Sequence, residues 1–263
     1  EIIELKNKNK TKDIKVNAKY IESQLSKLNS DSIYVGKFEV TNQLYHHFIG
    51  ETGQLNNASQ NLKWAGNIIY PFRLIRNYSK HEDYFNYPVV NISRESAIEF
   101  CKWLTIKYNS FEKKKLGNIT FQLPTEKQWE NFATGNFINR SLFSKRRYSS
   151  NSEGVFLYNY NPVQERWILD SDKEFLKKGL TKEQIREAGI LDGFEFTCPV
   201  DSYFPNEYKL YCIYGNVSEM VADKSVSKGG SWGSYRNEII IESNEKFSMP
   251  NPYTGFRFIA LKN

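Results

Sequence analysis

Three stretches of this chain carry apolar residues at helical spacing, and a hydroxyl side chain heads each one. Thr41 precedes Leu44, Tyr45, Phe48 and Ile49, with Gly53 beyond them. Ser93 precedes Ala97, Phe100, Cys101 and Leu104, with Trp103 beside the stripe. Thr125 and Gln128 precede Phe132 and Ala133, with Trp129 between. Side chains so spaced share one helix face. A hydroxyl at the N-cap accepts an amide that the first turn leaves free, and the Thr125–Gln128 pair has the form of a capping box. The pattern predicts helices after Thr41, Ser93 and Thr125. Weaker versions predict a short helix near Tyr20 to Leu28 and another after Thr181, with Ile185 and Ala188 inward and Gly189 near its stop. Ile33–Val35, Phe38–Val40 and Phe121–Leu123 read as short strands.

The intervening sequence has no such period. Residues 1–30 are rich in Lys, Asn and Ser and read as a surface arm. Residues 54–86 form a polar, aromatic insertion whose Trp64, Tyr70, Phe72, Tyr78, Tyr84 and Phe85 either pack it down or present a partner surface. Residues 137–158 are loop-like, and a second insertion runs from 162 to 191. From Leu210 to Ser234 the chain mixes apolar residues with Asn216, Ser218, Glu219, Gly215 and the Gly229-Gly230 pair. Such glycines suit unusual backbone angles or close chain approach. That mixture predicts a loop-built core near a site.

Composition and candidate chemistry change the picture in six places. Aromatic residues make up 15% of the 263, enough to dominate a core. The net charge of +6 sits in Lys tracts at 6–12 and 113–115 and reads as solvated surface; without a recognisable module it does not point to nucleic acid. No apolar run is long enough to cross a bilayer as a helix. Cys101 lies on the buried face of a predicted helix, while Cys198 and Cys212 have a pairing the sequence leaves open. His46 and His47 are adjacent on a helix, about 100° apart, and make poor joint ligands. Glu126 and Glu130 share a helix face near its start, where structural roles suit them better than acid–base chemistry.

Six ordered blocks carry a resemblance. They are Phe38-Glu39-Val40-Thr41-Asn42, Tyr87-Pro88-Val89-Val90-Asn91-Ile92-Ser93, Leu123-Pro124-Thr125-Glu126-Lys127-Gln128-Trp129-Glu130, Gly215-Asn216-Val217-Ser218-Glu219-Met220, Lys228-Gly229-Gly230-Ser231-Trp232 and Gly255-Phe256-Arg257. Together they resemble the formylglycine-generating enzyme family, also called the sulfatase-modifying-factor domain, over roughly Ile33 to Leu261. The resemblance implies an α+β fold, a variant of the C-type-lectin fold with short sheets and much irregular structure. It implies one domain over 31–263 behind an arm at 1–30.

The resemblance also implies chemistry, position by position. A structural calcium site maps to side-chain oxygens of Asn159 and Asp192 and to the carbonyls of Tyr160 and Phe194; calcium takes several hard oxygens in irregular geometry. The alternative is that Asn159 and Asp192 cap turns. A second calcium site maps to Cys212, Gly215, Val217 and Glu219, where a thiol is a poor ligand for a hard cation; Glu219 is expected to hydrogen-bond within the core instead. The enzyme's two copper-binding cysteines map to Ser234 and Ile239, and its disulfide positions to Ala133 and Phe258. Soft Cu(I) wants sulfur. No copper and no formylglycine-generating activity are therefore expected. A related iron-dependent branch needs a multi-histidine helical domain, which three His do not supply.

The expected function is a non-catalytic structural or binding subunit of an exported bacterial envelope assembly. Gly215–Met220 and the lead-in Pro205–Tyr211 resemble gliding-motility and type IX secretion lipoproteins of Bacteroidetes. Expected partners are other protein subunits, met through the insertions at 54–86 and 162–191. The expected location is extracytoplasmic, in the periplasm or at the cell surface, with any lipid anchor outside this sequence. Glu1 reads as the start of a processed or trimmed product. Two alternatives stand: a lectin-like ligand-binding protein with a cleft near Trp232, or an enzyme of altered chemistry using Ser234, Tyr235 and Arg236, for which the sequence shows no base.

Overall fold

The computed structural model describes residues 14–28, 32–53, 78–134, 158–160, 196–235 and 238–263. Among these are four helices: α1 (Ala18–Ser23), α2 (Asn42–Thr52), α3 (Arg94–Asn109) and α4 (Glu126–Thr134). Two four-stranded sheets accompany them. The first has the order β1-β2-β8-β3, formed by β1 (Leu25–Lys27), β2 (Ile33–Gly36), β3 (Ile119–Gln122) and β8 (Ile259–Lys262), all antiparallel. The second has the order β6-β5-β4-β7, from β4 (Ser218–Met220), β5 (Val226–Lys228), β6 (Glu245–Lys246) and β7 (Thr254–Gly255), with β4 and β7 parallel.

The three capped helices form as their patterns predict. Thr41 accepts from the Leu44 amide at 3.2 Å, and Gly53 ends α2 in the left-handed region with φ 64°. Ser93 accepts from the Ser96 amide at 3.1 Å. At the head of α4 both capping-box bonds are present: Thr125 N–H donates to Gln128 Oε1 at 2.8 Å, and Gln128 N–H to Thr125 Oγ1 at 3.2 Å. Leu44, Tyr45, Phe48, Ala97, Phe100, Cys101 and Leu104 are buried together in the main core, joined by Phe256 and Phe258 from the C-terminal end. Phe100 meets Phe256 edge-on at 5.3 Å. Glu126 and Glu130 hold Lys224 and Lys228, a structural use of both carboxylates.

Four local expectations change. Residues 14–28 are not surface arm: Val16, Ala18, Ile21 and Leu25 are buried in the main core, and β1 pairs with β2. The expected helix at 20–28 is instead α1, capped by Asn17 and ended at Gln24. A helix of six residues gains little from propagation, and Leu25–Lys27 gain a strand partner. Phe38–Val40 is not a strand. Val40 N–H donates to Phe256 O, and Val40 O accepts from Val89 N–H; each is a single tie, too few for a ladder. The strand expected at 121–123 lies at Ile119–Gln122 because Leu123-Pro124 turns away into α4. Residues 54–77, 137–157 and 162–191 lie outside the described residues, as does the helix expected after Thr181.

Between β7 and β8 the chain alternates. Phe256 and Phe258 enter the main core, and Arg257 between them points the other way, toward β4. That alternation joins the helical core to the loop-built region.

Candidate functional site

Arg257 is fully buried, and all its partners are fixed. Its guanidinium donates to Glu219 Oε1 at 2.7 Å, to the Tyr211 carbonyl at 2.6 Å and to the Gly36 carbonyl at 2.8 Å. Glu219 also accepts from Trp129 Nε1 at 2.7 Å. A buried pair costs less when its remaining lone pairs and protons are hydrogen-bonded. Here β4, α4, β2 and the 211 turn are tied at one carboxylate and one guanidinium. Glu219, offered as a second calcium ligand, is thus engaged with Arg257 and Trp129.

Above this node the chain makes a turn of left-handed residues: Cys212 (φ 48°), Gly215 (φ 73°) and Asn216 (φ 58°). Gly215 has no alternative, because a Cβ there would overlap the Asn159 carbonyl. That carbonyl accepts from Asn216 N–H at 2.9 Å. The Asn216 side chain donates to Glu39 Oε2 at 2.7 Å and accepts from Cys198 N–H at 2.9 Å. Glu39 also accepts from the Val217 amide at 3.2 Å. Burial, with Cys212 and Glu219 nearby, holds the Glu39 carboxyl well above the usual carboxylate range.

Two of the four predicted calcium residues, Asn159 and Tyr160, lie against this turn and are buried. Asn159 Nδ2 donates to the Phe196 carbonyl at 2.6 Å, while its buried Oδ1 has no hydrogen-bond partner among the described residues. An orphaned buried amide oxygen is costly and is the kind of donor calcium takes. Of the expected ligands, Asn159 thus has an oxygen whose chemistry suits the cation. Asp192 and Phe194 lie outside the described residues.

A cleft of about 480 Å³ opens beside the turn, lined by Ser231, Gly233, Ser234, Glu245, Tyr253 and Thr254 among others. Ser234 Oγ donates to Glu245 Oε1 at 2.6 Å and lies 3.1 Å from Ser231 Oγ. Deeper in, Ser227 Oγ donates to Ser218 Oγ at 2.9 Å, and Ser218 Oγ is 3.1 Å from Thr254 Oγ1. Burial raises the Glu245 carboxyl, against hydrogen bonds from Ser234 and Ser218. Trp232 is buried with its Nε1 donating to Pro252 O at 3.0 Å, and its ring packs tilted against Tyr253 with centroids 4.6 Å apart. Ile239 is buried with Tyr158 and Tyr160, and a Cβ on Gly230 would strike its Cγ1 at 2.7 Å.

Residues 9–261 match the family described as sulfatase-modifying factor enzyme 1-like domain. The chain belongs to that family. Among curated relatives, the formylglycine-generating enzymes of Mus musculus and Bos taurus are 23% and 22% identical over 231 residues. Those matches cover 77% of this chain and 52% and 51% of the relatives, so the chain spans about half the length of the curated relatives it matches. Three solved structures share the fold. Treponema denticola variable protein 1 has a TM-score of 0.50 at 18% identity, covering 91% of each chain. PvdO from Pseudomonas aeruginosa scores 0.52 at 16% identity, covering 87% of this chain and 80% of its own. CarF scores 0.51 at 18%, covering 88% and 87%.

On this sulfatase-modifying-factor scaffold, the implied copper does not fit the residues present. Ser234 offers a hydroxyl already held by Glu245, and Ile239 offers hydrocarbon packed on Gly230. The described part of the Ser234–Tyr235–Arg236 group gains an acceptor the sequence had not shown, Glu245; Arg236 is outside the described residues. A carboxylate is far too weak a base to hold a serine alkoxide, so the contact positions the hydroxyl. Two further residues had no role in the sequence reading: Glu39, a carboxylate within an apolar run, and Arg257, the end of the Gly-Phe-Arg block. Their placement among apolar neighbours was the available signal.

Proposed function

We propose that this chain is a non-catalytic binding subunit of an exported bacterial envelope assembly, of the gliding-motility or type IX secretion kind. The observation that carries the non-catalytic part is the pair Ser234 and Ile239, a hydrogen-bonded hydroxyl and a packed hydrocarbon where the family's copper enzymes place sulfur. The envelope assignment is supported by the likeness of Gly215–Met220 and Pro205–Tyr211 to lipoproteins of those systems. Partner subunits would dock on the insertions at 54–86 and 162–191, and the chain would work outside the cytoplasm. Calcium, when bound, would supply a charge that gathers oxygens from separate segments. Asn159 Oδ1 and the Tyr160 carbonyl would hold it with Asp192 and Phe194.

Anaerobic Cu(I) titration with a sulfatase-motif peptide tests the first part. The expected outcome is no stoichiometric tight copper and no mass loss at the peptide cysteine; either one overturns it. Native purification tests the second, with a stable envelope complex expected. A partnerless monomer would count against it.

A ligand-binding reading is favoured by one observation, the hydroxyl-lined cleft with the Tyr253 ring at its wall. Saturable binding on a glycan array, lost when Glu245 is changed to Gln, would establish it.

A further inference from the structure

We propose that Cys198 and Cys212 form a disulfide when the protein is exposed to a disulfide oxidant, stapling the 198–212 segment to the Gly215–Asn216 turn. Both cysteines are free and buried. Although 13 residues separate them, Cys198 lies near enough to Cys212 that, together with burial, it pushes the Cys212 thiol well above its usual range. The approach does not depend on the thiols alone. Asn216 Oδ1 accepts from Cys198 N–H at 2.9 Å, and Asn216 Nδ2 donates to Cys198 O at 3.3 Å. That pair of bonds clamps the Cys198 backbone beside the turn that begins at Cys212. The left-handed backbone at Cys212, φ 48°, is a conformation uncommon outside glycine, and this turn fixes it. Cys101 lies in the main helical core, in a different cluster. The three thiols thus divide into a neighbouring pair at the turn and a single core residue.

The step balances as thiol–disulfide exchange with a small disulfide such as oxidised glutathione. One cysteine thiolate attacks the glutathione disulfide, forming a mixed disulfide and releasing one glutathione thiolate. The second cysteine thiolate attacks the protein sulfur of that mixed disulfide and releases the second. Two protons leave the cysteine thiols and two glutathione thiols are formed; the protein pair loses two electrons and the oxidant gains them. Burial makes the exchange wait for local opening. Closing this loop restricts the unfolded chain, and the bond therefore stabilises the fold.

The test refolds the full chain from urea through a glutathione redox buffer, with native incubation in oxidised glutathione in parallel. Both samples are then denatured and alkylated. The expected result is one alkylated thiol, Cys101, with a non-reducing peptide map joining the Cys198 and Cys212 peptides. The oxidised protein should unfold at a temperature roughly 5–10 °C above the reduced one. C198S and C212S should each abolish that difference. Three alkylated thiols after refolding, or a link that includes Cys101, overturns the proposal. If the Ser variants do not fold, the wild-type peptide map alone still decides. The reading is independent of the proposed function, because the oxidant is supplied in the tube.

Discussion

The helical side and the loop-built side of this molecule are held together by different physics. Around α2 and α3 the core is hydrocarbon: Phe48, Phe100, Tyr45 and Phe256 meet at ring distances of 5.3–6.5 Å. Helices satisfy their own backbone there, and burial is non-directional. Around residues 212–219 the stability rests on directed polar contacts: Arg257 on Glu219 and two carbonyls, Asn216 on Glu39 and Cys198. Irregular chain leaves amides and carbonyls unpaired, so buried side chains must answer them. The contrast teaches that the first region should tolerate substitutions that keep volume. The second should fail when one polar partner is lost.

The largest expected effect is at the buried ion pair. Arg257→Leu keeps bulk but leaves Glu219 and the Gly36 and Tyr211 carbonyls without their partner. A loss of about 3–5 kcal/mol is expected by urea unfolding, often enough to prevent folding. A volume-conserving change in the other half, Leu104→Met, should cost less than about 1.5 kcal/mol. Equal costs would erase the contrast.

Calcium comes next. Chelation should lower the unfolding free energy by about 3 kcal/mol if calcium was present at about 100 times its dissociation constant. Asn159→Ala should remove most of that dependence; a calcium-independent melting curve for the native protein would rule out the site. Two glycines give a paired comparison. Gly215→Ala places a Cβ into the Asn159 carbonyl at a positive φ and should cost about 2 kcal/mol or more. Gly50→Ala, in α2 with nothing within 4 Å of the added carbon, should gain about 0.5–1 kcal/mol.

The smallest effect is a slope with pH. Glu39 titrates above its ordinary carboxylate value of 4.5 when folded, so the folded state binds the extra proton. Its contribution is fully present below that ordinary value and is lost as pH rises through the folded one. Urea titrations from about pH 5 to about pH 8 should show falling stability with a shallower slope in Glu39→Gln. An unchanged slope would show that Glu39 is ionised in the native protein.

The boundary between what could be read and what could not follows the same division. Thr41, Ser93 and the Thr125–Gln128 box are local: each needs only the next three residues to act, so the helix starts were visible. The cluster of residues 210–234 was recognisable as site-forming from its glycines and buried polar residues, but the partners were not. Glu245 sits 11 residues from Ser234 and Glu39 sits 177 from Asn216; no period connects such positions. The early segment misled for a related reason. Val16, Ile21 and Leu25 are too few to look like a core until β2 supplies the pairing edge.

The amino-acid order alone determined the family and the capped helices with their apolar faces, and it set a hydroxyl at Ser234 and a hydrocarbon at Ile239. Tertiary structure decided that Glu219 belongs to Arg257, that Asn159 Oδ1 lacks a hydrogen-bond partner among the described residues, and that Asn216 clamps Cys198 beside the turn that begins at Cys212. Caps and helical stripes act over a few residues and leave a repeating trace. A buried carboxylate, an orphaned amide oxygen or a thiol pair depends on chain segments meeting in space, and that meeting leaves no spacing to read.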